Sequence, residues 1–302
     1  MIEVLQPGLL TTIQDLGRRG YENYGVPPSG ALDPFLASVA NKLVGNDLNS
    51  PLLEFALVGP TLMFRKDCWV GVAGFDVRYL LNGKPADEFT AFPVPAGSVL
   101  QFSGMQGWFG YLAVSGGILC ERILGSASTY ISGRIGNRLR KGALLEVGET
   151  TEKYFSVRRD FLGFRATNIL SILPALHTSG FSMQSRHKLA ENDYTITLQS
   201  NRMGIRLEGA PIKQPKVRRS APALPGTIQV PRSGDPLILG PEGPTTGGYP
   251  QIAVLPRTSW TKLAQTRPRE KIRFEWTSVE SARQIWSHRN SIFSRDEAWQ
   301  RI

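Results

Sequence analysis

Short runs of β-branched and aromatic residues, each closed by Gly, Pro, Asn or Asp, restrict the folds open to this chain more than any other feature. They include Thr61–Phe64, Cys68–Ala73, Val77–Leu81, Val99–Phe102, Phe109–Val114, Tyr194–Leu198, Thr227–Val230, Leu237–Leu239 and Lys271–Phe274. Turn signals recur about every eight to twelve residues, a spacing that predicts a mainly β fold of the sandwich or barrel type. Asn82-Gly83 is a strong tight-turn candidate, because both residue types accept positive φ. Helices are expected at few places. The clearest runs from Asp33 to about Val44, with Asp33 as N-cap, Pro34 at the first helical position and Gly45 as its stop. Two more are predicted at Ser259–Gln265 and Ser278–Arg289.

A chain of 302 residues is long enough for two cores. The polar stretches Gly148–Lys153 and Arg158–Asp160 separate two β-rich halves, so the expected domains are residues 1–160 and 161–302. With 41% hydrophobic and 20% charged residues, the composition is that of a globular protein. No apolar run reaches membrane-spanning length, since Leu52–Phe64 is interrupted by Glu54, Gly59 and Pro60. The N-terminus carries Glu3 and Gln6 where a secretory signal has basic and then apolar residues, so a cytoplasmic protein with no membrane partner is expected. Cys68 and Cys120 have no metal-ligand spacing and read as buried thiols. The net charge of +10 calls for an anionic small molecule or an acidic protein partner. The basic stretch of Lys213, Lys216, Arg218 and Arg219 lacks interleaved aromatics, which argues against nucleic acid.

Several chemistries are excluded outright. Gly83-Lys84 is followed by Pro85, so there is no phosphate-binding P-loop, and neither a Gly-x-Ser-x-Gly elbow nor a His-Glu-x-x-His metal motif occurs. His177, His187 and His288 lie outside the motif-rich stretches, and no metal ligand set is expected. Chemistry here has to run on carboxylates, hydroxyls, arginines and oriented amides. The densest supply is Pro7–Tyr21 continued by Gly25–Asp33, which crowds Gln14, Asp15, Arg18, Tyr21, Ser29 and Asp33 among glycines and prolines. Two readings fit it: a well-capped turn, or a backbone folded around a ligand. Similar stretches follow at Tyr111–Ile118 with Gly125–Thr129, at Arg202–Gly209, at Gln229–Gly234 and at Thr245–Pro250. Arg206 and Glu208, two apart on one strand face, read as a structural ion pair.

Taken in order, these motifs resemble one family. Pro7–Arg18, Gly25–Asp33, Asn41-x-x-Val44-Gly45-Asn46, Leu53-Glu54, Tyr111–Gly117, Arg202–Gly209 and Thr245–Pro250 together are similar to the biotin-dependent carboxyltransferase family. That family includes the C-type subunit of bacterial 5-oxoprolinase, also known as the antagonist of the sporulation-kinase inhibitor, and the allophanate hydrolase subunit 2-like half of the urea carboxylase carboxyltransferase domain. The resemblance covers about residues 2 to 285.

It implies two cyclophilin-like β-barrel domains with a few short helices. It also implies sister subunits of the B and A types as partners, and ATP with Mg²⁺ as cofactor. No Met-Lys-Met biotinylation site is present, so this chain carries no covalent biotin itself. The activity implied is ATP-dependent opening of 5-oxo-L-proline to L-glutamate at a site shared with the B-type subunit. The alternatives are a non-catalytic antagonist of a kinase-inhibitor-like partner, or biotin-dependent carboxyl transfer to an amide or urea. On this resemblance Asp15, Arg18, Asp33 and Arg202 are candidate catalytic residues. Arg18 and Arg202 would hold a carboxylate or phosphate, and Asp15 or Asp33 would move a proton or bind a metal held with ATP. Gln14, Tyr21, Ser29, Asn41 and Gln229 would bind substrate or nucleotide, and the loop of Thr245, Thr246, Gly247, Gly248 and Tyr249 would cover phosphates. Arg18 and Tyr249 are expected to face one pocket. The chain departs from the family pattern at Phe109, Asn137, Ala143, Ala175–His177 and Ser259.

Overall fold

The computed structural model describes residues 1–136, 138–150, 152–162, 167–216 and 220–302. Its backbone is mainly β, as the turn spacing predicts, and it divides into two compact units. The first unit comprises Met1–Arg18, Ser29–Phe164 and Arg289–Ile302; the second comprises Arg19–Pro28 and Arg165–His288.

In the first unit, two sheets enclose one core. The larger has the strand order Ile118–Leu119, Leu144–Val147, Ile2–Gln6, Thr61–Phe64, Val99–Gly104, Arg78–Leu81, Lys84–Pro85. The smaller has the order Leu10–Gln14, Leu52–Ala56, Phe109–Val114, Cys68–Ala73, Phe92–Val94. Alternate residues of both turn inward, and Val4, Leu62, Leu100 and Phe102 meet Phe55, Val70, Val72 and Leu112 in a single apolar cluster. The Asn82-Gly83 turn adopts φ of 50° and 79°, the doubly positive geometry that suits a twisted hairpin. Helix α1, Pro34–Leu43, starts where its cap residue predicts: the Asp33 carboxylate accepts from Phe35 N and Leu36 N. The chain end returns to this unit, where Trp299–Arg301 pairs with Phe155–Val157.

The second unit holds a closed barrel in the order Ile169–Pro174, Gln251–Val254, Thr227–Gln229, Leu237–Leu239, Gly204–Gly209, Asp193–Ile196, Lys271–Trp276. The ring closes through a parallel pairing of Ile169–Ile172 with Arg273–Trp276. Closure leaves the barrel strands no unpaired edge. Leu170, Ile172, Tyr194, Ile196, Ile205, Leu207, Ile228, Ile238 and Phe274 fill the interior and are buried. Helix α2, Met183–Glu191, has no counterpart among the helices expected from sequence. Only Ser185 and Leu189 of it are buried, too narrow an apolar stripe to register as a helical period. Helices α3, Arg257–Gln265, and α4, Val279–Asn290, fall where expected. Among the described residues, no helix is long and apolar enough to cross a membrane.

Two local expectations are corrected, and a third lies partly outside the described residues. Cys68 is buried, but Cys120 is exposed. Arg206 and Glu208 share an exposed strand face and make no ion pair among the described residues. The basic stretch at residues 213–219 is only partly described, since Arg218 and Arg219 lie outside the described residues.

One carboxylate of the first unit gives a pH-dependent stability. Glu88 Oε2 accepts from Val77 N at 3.1 Å, and Arg159 Nη1 lies 3.6 Å from Oε1. Burial outweighs both and pushes the carboxyl up to about 7. The unfolded chain releases this proton near pH ~4.3, whereas the native chain keeps it to about 7. Native protein therefore binds more protons across that window, and stability falls as pH rises through it, by about 3 kcal/mol. Glu88→Gln is expected to remove this slope, read as the difference between wild-type and variant urea midpoints at about pH 4.5 and about pH 7.5.

Candidate active site

The segment Gln14–Arg18 turns around its own carboxylate. Asp15 Oδ1 accepts hydrogen bonds from Gly17 N at 2.8 Å, from Ser126 Oγ at 2.6 Å and from Ser128 Oγ. Its Oδ2 accepts from Ala127 N at 2.8 Å and faces Arg122 Nη1 at 3.4 Å. The Asp15 N–H in turn donates to Ser128 Oγ at 3.0 Å. A carboxylate offers about four lone-pair directions, and these partners take them up. Asp15 is thus an anchor that fixes the Ser126–Ser128 segment, not a proton acceptor with a lone pair to spare. Arg18, also buried, donates from Nη2 to the Ser128 carbonyl and ties the same segment.

Gln14 and Ser29 are buried on this scaffold with an unused polar atom each. Gln14 Nε2 donates to Thr12 Oγ1 at 3.0 Å and to the Thr129 carbonyl at 3.2 Å. Those two bonds turn its carbonyl Oε1 the other way, where it has no hydrogen-bond partner among the described residues. Ser29, at φ 55°, has a buried Oγ that likewise meets none. Its neighbour Gly30 shows how tightly the two segments press together. A Cβ there stands 2.8 Å from Gly17 N, while Ala31 N donates to the Asp15 carbonyl at 2.9 Å. Only glycine fits at that approach.

A second set of groups supports this one from the smaller sheet. Glu54 pairs across the strands with both Thr12 and Tyr111. Its Oε2 accepts from Leu32 N at 2.6 Å, and its carboxylate takes a hydrogen bond from the Tyr111 hydroxyl. Tyr111 Oη accepts from Asp33 N at 2.7 Å. Burial, then the charges of Glu54 and Asp33, push the Tyr111 hydroxyl well above its ordinary range, so it stays a protonated donor. Asp33 caps α1, and its charge offsets part of the desolvation that lowers Arg289. Asn41 donates to the carbonyls of Leu48 at 3.3 Å and Ser50 at 2.9 Å and accepts from Asn46. The structure gives Asp33 and Asn41 positional tasks, a helix cap and a loop latch.

In the second unit, Arg202 is buried with Glu242, its Nε donating to Glu242 Oε1. A guanidinium committed to an internal carboxylate has less to give to a ligand anion. Gln229 is buried at the end of Thr227–Gln229, and its Nε2 finds no hydrogen-bond partner among the described residues. It lies against Gly247, where a Cβ approaches Nε2 to 2.7 Å. Thr246-Gly247 pairs with Ala221-Pro222, and Thr245 O accepts from Ala223 N at 2.8 Å. Gly248 and Tyr249 are exposed. Neither Gly247 nor Gly248 takes positive φ, so this loop is a strand ladder and not the concave backbone nest that binds phosphate. Tyr21 belongs to this unit too, and its carbonyl accepts from Tyr24 N at 3.0 Å. Among the described residues, no cluster of three or more His, Cys, Asp or Glu stands ready for a metal ion.

Glu54, Tyr111 and Glu242 belong to these networks without having stood out in the sequence as site residues. A carboxylate inside the fully buried run Leu52–Ala56 was the available signal for Glu54. Of the departures from the family pattern, Phe109 packs in the core, and Ser259 Oγ donates to the Ser171 carbonyl at 2.8 Å. His177 Nδ1 accepts from Gln251 N at 3.2 Å. Asn137 lies outside the described residues.

A β-rich chain with a closed barrel and buried polar groups is the class that the fold and the site define. Residues 24–276 match the family described as carboxyltransferase domain, subdomain A and B, and the chain belongs to that family. It is 33% identical over 300 residues to the 5-oxoprolinase C subunit of Haemophilus influenzae, spanning 97% of this chain and 96% of that one. To the 5-oxoprolinase C subunit of Escherichia coli it is 34% identical over 295 residues, 93% of each. The crystal structure of the Kluyveromyces lactis urea amidolyase superposes with a TM-score of 0.90 at 27% identity, over 99% of this chain and 20% of that larger one.

Proposed function

We propose that this chain is the C-type subunit of an ATP-dependent 5-oxoprolinase, acting with its A-type and B-type sister subunits on the lactam of 5-oxo-L-proline to give L-glutamate. The observation that carries this reading is the full-length likeness to a 5-oxoprolinase C subunit, at 33% identity. The chemistry of the buried polar atoms supports it. A lactam carbonyl is stabilised by resonance and is attacked only after its oxygen is polarised or derivatised, which calls for fixed donors in a dry site. In the first unit, Ser29 Oγ is a donor suited to such an oxygen and Gln14 Oε1 an acceptor suited to an amide N–H, both buried and without a hydrogen-bond partner among the described residues. Asp15, Arg18 and Glu54 hold the first unit's groups in place as positioning residues. ATP with Mg²⁺ belongs to the assembled complex in this reading, and the Thr245–Tyr249 ladder is poorly shaped for phosphates.

Ser29→Ala separates this role from a structural one. It removes a hydroxyl with no internal partner, so the urea midpoint is expected to stay within about 0.5 kcal/mol of wild type. Turnover by the reconstituted complex is expected to fall about 10- to 100-fold, the worth of one hydrogen bond in a transition state. Unchanged turnover in a stable variant removes Ser29 from the site.

A second reading, carboxyl transfer from carboxybiotin to an amide or urea, is favoured by the likeness to the urea amidolyase. It asks the same groups to stabilise charge on a ureido oxygen. Dependence of turnover on bicarbonate and on a biotin carrier distinguishes it from lactam opening.

A further inference from the structure

A groove of about 580 Å³ opens on the first unit, and none of the buried site residues described above lines it. One wall is apolar, made by Leu9, Ile131 and Leu139, with Leu9 and Ile131 exposed to solvent. The other is cationic, made by Arg134, Arg138 and Arg140, and no acidic residue lines the groove among the described residues.

The backbone fixes where these arginines stand. Tyr130 and Ile135 exchange hydrogen bonds of 2.7 and 3.0 Å, Arg134 N donates to the Ile131 carbonyl at 3.1 Å, and Arg134 occupies the left-handed region at φ 57°. Leu139 N donates to the Thr11 carbonyl at 3.1 Å, which seats the loop against the start of Leu10–Gln14. Arg138 Nη2 reaches the Leu9 carbonyl at 2.8 Å. The guanidinium groups of Arg134 and Arg140 make no hydrogen bond or ion pair with any described residue. Three exposed cations around one groove repel one another, screened by solvent, and no acidic residue among the described lining residues offsets them. A bound anion would. The volume falls within the range of small-ligand sites, and planar guanidinium forks match the oxygens of phosphate or carboxylate.

We propose that this groove binds a small organic anion. Its phosphate or carboxylate oxygens are held by Arg134, Arg138 and Arg140, and its apolar part lies against Leu9, Ile131 and Leu139. The proposal is independent of whether the chain takes part in lactam opening.

Calorimetric titration of the full chain at low ionic strength tests it with three probes: inorganic pyrophosphate, citrate and phenyl phosphate. Binding of pyrophosphate or phenyl phosphate identifies a phosphate ligand, and binding of citrate alone a carboxylate one; either result supports the proposal. The double variant Arg134→Ala/Arg140→Ala removes no side-chain bond to any described residue, so its circular dichroism and urea midpoint should match wild type while affinity drops about 100-fold, tenfold for each arginine. Leu9→Ser should weaken phenyl phosphate and leave pyrophosphate unchanged. Failure of all three probes to bind overturns the proposal. So does binding that the double variant leaves intact.

Discussion

Asp15→Ala is expected to lower the free energy of unfolding by about 4 kcal/mol. The carboxylate is buried and accepts from two hydroxyls and two backbone N–H groups. Alanine leaves those donors without an acceptor in a place water reaches poorly, and each buried orphan costs about 1–3 kcal/mol. Relaxation of the Ser126–Ser128 segment recovers part of the sum. Asp15→Asn keeps one acceptor oxygen but sets an NH₂ against donors, so its loss should approach that of alanine. Because the anchored segment also holds Arg18 and Gln14, turnover of the complex should vanish with either variant. Urea unfolding, followed by fluorescence, reads the first effect.

Arg202→Met is also expected to destabilise the fold. Wild-type Arg202 and Glu242 are buried together with 5% and 6% of their side chains exposed. Removing the guanidinium leaves a carboxylate without its counter-charge, which costs about 3–5 kcal/mol when it stays ionised. The double variant Arg202→Met/Glu242→Leu, which removes both charges, should recover most of the stability. An Arg202 whose main task is to hold a ligand would instead leave the urea midpoint unchanged.

The strands were legible because their signal is local: short apolar runs with a turn at each end need no partner to be recognised. Helix α1 was legible for the same reason, through Asp33, Pro34 and Gly45. Helix α2 was not, since its burial rests on Ser185 and Leu189 alone. In the site, the crowding of Gln14, Asp15, Arg18, Ser29 and Gly30 was visible, but the division of labour among them was not. Asp15 looks like a base until the Ser126 and Ser128 hydroxyls, 111 and 113 positions away, arrive on its oxygens. Asp33 and Asn41 carry reactive side-chain types, and those same types are the ones that cap helices and latch loops. Glu54 and Tyr111 meet only through strand register, and register over such a separation is a property of the folded sheet.

The most direct test of the central claim is reconstitution of this chain with purified A-type and B-type subunits of a 5-oxoprolinase. On that account, phosphate release from ATP depends on added 5-oxo-L-proline, L-glutamate accumulates in step with it, and both stop when this chain is omitted. Absence of 5-oxo-L-proline-dependent hydrolysis with the complete set, beside a homologous set that works, contradicts it.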